Sequence, residues 1–405
     1  MMKKTDTLYN IVIRYPEVKD FLISQGLTQV QDQQMLEKVG KNLTLEILAK
    51  SKKMNVELFL EELESVINDQ RKGTDTTLIE NERKTDATID IQGILPCPVR
   101  IPLLEGFEAW LEGQEDTYKN DINYELKAAS MGVDWIKEKL ENSPHEDELA
   151  DVFLSAGFDL FFDKKLMGHY KAEKVFEDLT RWDGYNSDFD NASYSLKDPD
   201  GDYSVLGVVP AIFLINTHAL GEREIPKTWA DLLTGAFDNQ VSLPVGDFDL
   251  FNAILLNIYK NYGIDGVKKL GKTLMKSMHP AEMVKSNTKQ EQPLVTIMPY
   301  FFTKMVHERS PMKAIWPEDG AIISPIFMLS KKSKKDSLQA IVDFFASKEV
   351  GEILSHNGRF PSVHPQVDNR IALENTYQWL GWDFIQAHDI GELIDECMHA
   401  FNGGA

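Results

Sequence analysis

A thiol set between two prolines is the most unusual chemical feature of the chain. It lies in the stretch ILPCPVRIPLLE, residues 94–105, where Pro96, Cys97 and Pro98 are followed by Arg100. Cys97 is open to three readings: a thiol that touches a ligand, a nucleophile activated by a neighbouring base, or a small apolar plug. Pro96, Pro98 and Pro102 carry no backbone N–H, so a phosphate cradle built from free amides is not expected here. Recognition would fall to the Cys97 and Arg100 side chains, on a loop that proline stiffens. Three other stretches place polar groups beside turn-forming residues. Ser155 and Gly157 follow a short apolar run. Gly246, Asp247 and Asp249 follow Pro244, and the two aspartates are either helix caps or carboxylates facing a cationic ligand. Tyr300 follows Pro299 and offers a phenol, for a ligand or for packing.

Other groupings carry less. His388, Glu392, Glu396 and His399, with Cys397 beside them, are spaced to share a helix face, as metal donors or as a solvated stripe. The run Lys331-Lys-Ser-Lys-Lys335 reads as a solvated loop. Asp198-Pro-Asp-Gly-Asp202 has calcium-loop spacing at its start but no glutamate at the twelfth position, so a turn is expected. Walker A, nucleophile-elbow and HExxH patterns are absent.

The chain has 405 residues, which points to two or three domains, and 42% of them are hydrophobic, enough for sizeable cores. Its net charge of −21 speaks against nucleic acid and anionic membranes as partners. Cys97 and Cys397 are the only cysteines, so neither a disulfide framework nor a zinc pattern is expected. The first residues show no continuous apolar segment of the export type, and no run is long enough to span a bilayer. A cytoplasmic protein without membrane insertion is the expectation.

The elements that must position these groups change character along the chain. Residues 1–70 read as short helices: Leu8, Ile11, Val12 and Tyr15 share one face, Val18, Phe21 and Leu22 another. A third begins at Thr44, and a fourth carries Leu58, Phe59, Leu60, Leu63, Val66 and Ile67. Residues 71–88 are polar and nearly core-free, the pattern of a linker. From residue 89 onward short apolar runs alternate with helical ones. Strands are expected at 89–94, 150–154, 205–215, 241–243, 294–298 and 322–329. Helices are expected at 102–112, 133–140, 250–262 and 337–345, with 123–131 open to either form. This alternation predicts an α/β domain with a mainly parallel sheet covered on both faces.

Four segments carry more than fold-level information. They are GVVPAIFLINTHAL (207–220) with EIPKTWADLL (224–233), VSLPVGDFD (241–249), VTIMPYF (295–301), and AIISPIFML (321–329) followed by AIVDFFASKEVG and NGRFP (357–361). In this order they resemble the type 2 periplasmic binding proteins of ABC importers, most closely the branch that handles ferric ion, thiamine and polyamines. Thr228 and Asp231 within the Trp unit form a capping-box pattern, which gives Trp229 a packing role. Residues 1–70 resemble a small helical domain of unassigned function, also found at the front of iron–sulfur-repair di-iron proteins. That domain often carries cysteines, and here it has none.

The resemblance implies a two-lobed type 2 fold with two crossover strands, preceded by the small all-α domain. Lobe one would hold residues 89–207 and 325–405, lobe two residues 208–324, with Pro210 and Pro325 in the crossovers. The ligand site is then expected beyond the strand ends, at Pro96, Cys97, Pro98, Arg100, Ser155, Gly157, Gly246, Asp247, Asp249 and Tyr300. The relatives that bind iron supply adjacent tyrosines. Tyr185, Tyr194, Tyr203 and Tyr300 are scattered, so iron is not favoured. The expected function is solute binding without cofactor or turnover, with an ABC permease or a protein partner reached through residues 1–70. A thiol enzyme using Cys97, and a regulatory module with a sensing cleft, are the alternatives.

Overall fold

The computed structural model describes residues 4–14, 18, 22, 30, 36, 38–41, 43–51, 56, 60, 63, 84–128, 134–142, 145–155, 157–245, 248–277, 292–306 and 310–404. They fall into two compact units, Met1–Arg83 and Lys84–Ala405.

The first unit is helical. Helices Leu8–Arg14 and Leu45–Ser51 each begin after a threonine whose hydroxyl accepts a backbone N–H, Thr7 from Asn10 and Thr44 from Ile47. Leu8, Ile11, Val12, Val18, Leu22, Leu45, Leu48 and Leu63 are buried together, so the apolar spacing marks a real core. Tyr15, Phe21, Leu58, Phe59, Val66 and Ile67 lie outside the described residues.

The second unit is built on one ten-stranded sheet. Its strands are β1 (Ile89–Leu95), β2 (Ile122–Ala128), β3 (Val152–Ser155), β4 (Ser204–Asn216), β5 (Val241–Leu243), β6 (Leu274–Ser277), β7 (Val295–Pro299), β8 (Met312–Ile315), β9 (Ala321–Ser330) and β10 (Tyr377–Gln378). The order is β2-β1-β3-β9-β4-β7-β5-β6, with β8 beside β4 and β10 beside β9. Residues 84–88 dock onto this unit: Lys84 donates to the Lys119 and Ile122 carbonyls, and Thr88 bonds Asp121.

The sheet is less parallel than the alternation of elements predicts. Pairs β1/β2, β1/β3, β5/β6, β5/β7 and β9/β10 are parallel, but β3/β9, β4/β9, β4/β7 and β4/β8 are antiparallel. The reason is the two long strands. β4 runs out through the sheet and β9 returns beside it, so each meets strands of opposite direction. β4 is apolar from Val205 to Ile215, between a polar residue at each end, and is buried at all but one position, as a strand covered on both faces must be. Its first half pairs with β9 (Val208 opposite Pro325, Pro210 opposite Ile323), and its second half pairs with β7 and β8.

Helices cover both faces. On one, Phe107 of the Arg100–Glu112 helix stacks on Phe345 of the Lys335–Phe345 helix at 5.3 Å. On the other, the Phe248–Thr273 helix packs against the C-terminal Ile390–Gly404 helix, and Phe251 meets Phe401 edge-on at 5.0 Å. The expected capping box is present: the Thr228 hydroxyl accepts from Asp231 N, and the Asp231 carboxylate accepts from Thr228 N. Trp229 is buried, donates Nε1–H to the Gly320 carbonyl at 3.0 Å and packs on Phe213. Its role is structural.

The basic run departs from expectation. Lys331 is not solvated but buried, with its ammonium 3.0 Å from Asp151 and donating to the Leu149 carbonyl. Lys334 reaches the other Asp151 oxygen at 2.9 Å. Only Lys332, Lys334 and Lys335 behave as the run predicts, at or near the surface. The DPDGD stretch is a turn: Asp198 accepts from the amides of Asp200, Asp202 and Tyr203, and Lys174 pairs with Asp202. The C-terminal stripe disperses. Glu392 pairs with Lys165, His388 bonds the Phe384 carbonyl, and Cys397 is fully buried. Burial, then Glu396, pushes the Cys397 thiol up to about 12. In a Cys97→Ser variant, the remaining thiol is therefore expected to resist a thiolate-titrating reagent until denaturant is added. Rapid labelling of the native variant would contradict its place in the core.

Candidate functional site

The strand registers bring four chain reversals to one place. β3 runs antiparallel to β9 with Val152 opposite Ser330 and Ser155 opposite Phe327, so its carboxyl end points toward the middle of β9. β1 lies parallel beside β3 and ends at the same edge. β7 runs antiparallel to β4 with Val295 opposite Ile215 and Pro299 opposite Ala211, and β5 is parallel to β7. Both strand sets thus aim their carboxyl ends at the central stretch of β4 and β9, around residues 207–211 and 322–326. Ligands of open α/β sheets bind beyond such ends.

The turn after β1 is a single 3-10 turn, Cys97–Val99, leading into the Arg100–Glu112 helix. Val99 N–H bonds the Pro96 carbonyl at 3.0 Å. With Pro98 lacking an N–H, the backbone here has little left to offer an anion. Pro96 and Arg100 are buried and Pro98 is half-buried, while the Cys97 side chain lies outside the described residues. Ser155 closes β3, with its side chain also outside the described set. Gly157 is buried and precedes the Phe158–Phe161 helix at φ −100°, a conformation any residue adopts. Gly246 and Asp247 lie outside the described residues. Asp249 sits in the first turn of the Phe248–Thr273 helix, half-buried, where a carboxylate suits the helix dipole.

Tyr300 opens the 3-10 helix Tyr300–Met305 after β7. Its ring meets Trp316 edge-on at 5.3 Å, and the Arg359 guanidinium lies over its face at 5.2 Å. That arginine is the centre of a contact the sequence reasoning missed. Arg359 donates to the Thr303 hydroxyl. Lys304 donates to the His356 and Asn357 carbonyls at 2.9 and 2.6 Å. Phe301 stacks on Phe360 at 6.1 Å. Segment 356–360 therefore grips the Tyr300–Lys304 turn. On its other side the same segment touches the Pro96–Arg100 turn, because Gly358 lies directly against Val99. Two of the expected site loops are thereby brought together through a third segment.

The third segment has unusual backbone. Ile353–Asn357 is a π-helical turn, a rare form that is frequent at functional sites. Arg359 follows at φ +49°. For a residue with a Cβ this left-handed conformation costs about 1–2 kcal/mol. An Asn-Gly pair ordinarily puts positive φ on its glycine, but Gly358 keeps φ −96° and the strain falls on Arg359. The only sequence signal was the NGRFP motif, quoted for its resemblance and not for its chemistry.

Tyrosines cluster more than the sequence suggests. Trp316 also meets Tyr377 edge-on at 5.4 Å, which joins Tyr300, Trp316 and Tyr377 in one row. The Tyr377 hydroxyl is buried and has no hydrogen-bond partner among the described residues. Burial raises its pKa most, with Asp188, Tyr194 and Tyr300 adding to the effect. Tyr185, Tyr194 and Tyr203 are also raised, again chiefly by burial.

Comparison with known proteins follows this geometry. The family model described as bacterial extracellular solute-binding protein matches residues 147–388, more than half of the chain, a span that includes Tyr300, Lys304 and Arg359. A domain of unknown function (DUF1858) matches residues 2–60. No curated protein matches the sequence. Among solved structures, the ferric binding protein from Campylobacter jejuni is 16% identical with a TM-score of 0.54, covering 78% of this chain and 99% of that one. Apo ferric ion-binding protein A from Pasteurella haemolytica is 14% identical with a TM-score of 0.54, covering 78% and 97%. The substrate binding protein of an ABC transporter from Agrobacterium tumefaciens is 13% identical with a TM-score of 0.51, covering 79% and 97%. At these identities the likeness is one of fold, the two-crossover type 2 architecture expected from the segment order. With more than half its length matched by the family model, the chain belongs to the bacterial extracellular solute-binding proteins.

Proposed function

We propose that the second unit captures one small solute at the junction of its two strand sets and holds it by closing, without chemical turnover. The moving bodies are residues 89–207 with 325–405, and residues 208–324, turning on β4 and β9. The observation that carries this reading is the convergence of the β1, β3, β5 and β7 carboxyl ends on the middle of those two strands. Contacts that cross between the bodies, from Tyr300–Lys304 to His356–Phe360, support closure there. The helical first unit is assigned to protein contact, with a permease or a regulatory partner.

Several relatives in fold are ferric-ion-binding proteins by name. The tyrosines are scattered through the sequence, with no two adjacent, and we take this pattern to favour a cargo other than iron.

Native mass spectrometry of the gently purified chain is expected to show one small-molecule adduct per chain, lost after unfolding and refolding. Cys97→Ser should keep the adduct, because side chains other than a reacting thiol hold it. A chain without adduct, and without a thermal shift across a broad metabolite panel, would overturn the reading. A second reading, solute sensing, draws on a fold relative described as a two-component system protein mediating signal transduction, 12% identical with a TM-score of 0.53. Solute-dependent capture of a signalling partner, and not of a permease, would favour it.

A further inference from the structure

We infer that the solute carries an oxyanion, carboxylate or phosphate, and that Lys304 and Arg359 bind it jointly from the two sides of the junction. The inference rests on the solute-binding reading and names its ligand class. Lys304 stands on the turn after β7, and Arg359 on the segment that grips that turn. Their present partners are neutral: two carbonyls for Lys304, a hydroxyl and an aromatic face for Arg359. Among the described residues neither is paired with a carboxylate, although aspartate and glutamate outnumber lysine and arginine 64 to 43. Many other lysines pair with acids, as at Lys119, Lys174, Lys331 and Lys348. Lys84 and Lys260, like Lys304, donate to carbonyls, but among the described residues no arginine acts on either of them.

Among the described residues no anion stands between these two neighbouring cations, and they repel each other, with solvent screening part of the repulsion at the exposed Lys304. Desolvation and then Arg359 lower the Lys304 pKa, as such a pair requires. The fold bears a second cost at the same point, because Arg359 holds a left-handed backbone that glycine would adopt freely. Lys174, Asn239 and Arg370 share a positive φ, but among the described residues only at Arg359 does that strained backbone carry a cation onto the turn after β7, and such strain clusters at binding sites. The guanidinium fork and the ammonium suit a carboxylate or phosphate, whose charge would cancel the repulsion. Its arrival would replace a repulsive contact between the two bodies by an attractive one, so the anion itself would favour closure. The Pro96–Val99 turn, poor in free amides, leaves this task to side chains.

The test uses the full chain, after unfolding and refolding to remove carried-over solute. Titrations with inorganic phosphate, sulfate, acetate and citrate are followed by calorimetry and thermal shift in low-chloride buffer. Saturable binding of at least one of them is expected, weakening as salt rises. The ranking of phosphate against citrate distinguishes the two sources of charge. Lys304→Gln and Arg359→Gln should each weaken binding about tenfold or more, and Lys348→Gln, an exposed lysine paired with Glu352, should not. Arg359→Gly provides a check that a purely structural role would fail: it should lose the anion while its Tm stays level or rises. No saturable binding of any of the four anions, or binding that survives both Gln variants, overturns the inference. A solute found by mass spectrometry that is neutral or cationic and indifferent to both variants sinks the anion while leaving solute binding standing.

Discussion

Asp151→Ala is expected to lower the stability of the second unit by about 3–5 kcal/mol, the range for removing one partner of a buried ion pair. Asp151 and Lys331 are each about 2% exposed and face one another at 3.0 Å. The other Asp151 oxygen accepts from Asp90 N–H at 2.9 Å and from Lys334 at 2.9 Å. Its backbone is held as tightly, since Asp151 N bonds the Asp90 carbonyl and Lys331 N bonds the Asp151 carbonyl. One carboxylate therefore ties the start of β1, the start of β3 and the end of β9. Alanine would strand the Lys331 ammonium in the interior with only the Leu149 carbonyl. The double variant Asp151→Ala/Lys331→Met should recover part of the loss, because the stranded charge goes with its partner. Tryptophan fluorescence in a urea titration reads the right unit, since all seven tryptophans lie beyond residue 100. A midpoint unmoved by Asp151→Ala would show the pair to be solvated.

That pair also shows what one sequence does and does not disclose. A Lys-Lys-Ser-Lys-Lys run looks solvated because nothing local announces an aspartate 180 residues earlier in the chain. The signals that held were local or periodic. Thr228 and Asp231 cap a helix wherever a helix starts, and the long apolar runs that became β4 and β9 could only be strands covered on both faces. The Pro96–Arg100 and Tyr300 segments do follow the carboxyl ends of β1 and β7, because a strand end is marked locally by its apolar run and the proline after it. The contacts of Lys304, Arg359 and Tyr377 are not legible in the sequence, because they depend on which loops meet. Lys304 reads as an ordinary exposed lysine until its ammonium is seen on the His356 and Asn357 carbonyls. The antiparallel pairs of β4 and β9 are hidden for a related reason: strand direction in a crossover fold is set by the return path of the chain, which periodicity does not encode.

The same distinction between local and assembled information singles out Gly358. Gly358→Ala is expected to remove oxyanion binding and to cost about 1–3 kcal/mol of stability, the usual range for overpacking a filled site. An added Cβ would lie 2.5 Å from Val99 Cγ1 and press against the Phe360 ring. Neither can yield easily: Val99 is fully buried in the turn after β1, and Phe360 is 3% exposed and stacked on Phe301. The methyl must therefore push segment 356–360 away from the Pro96–Val99 turn, or twist the backbone at the one residue that aims Arg359. In either case the guanidinium leaves Tyr300 and Thr303. The pair of variants separates positioning from packing. Arg359→Gly should lose the anion with stability level or improved, whereas Gly358→Ala should lose both. Equilibrium unfolding and phosphate or citrate titration of the two proteins, side by side, measure this. Wild-type anion affinity in Gly358→Ala would mean that the close contact with Val99 does not position Arg359, and that the junction tolerates a looser fit than its packing implies.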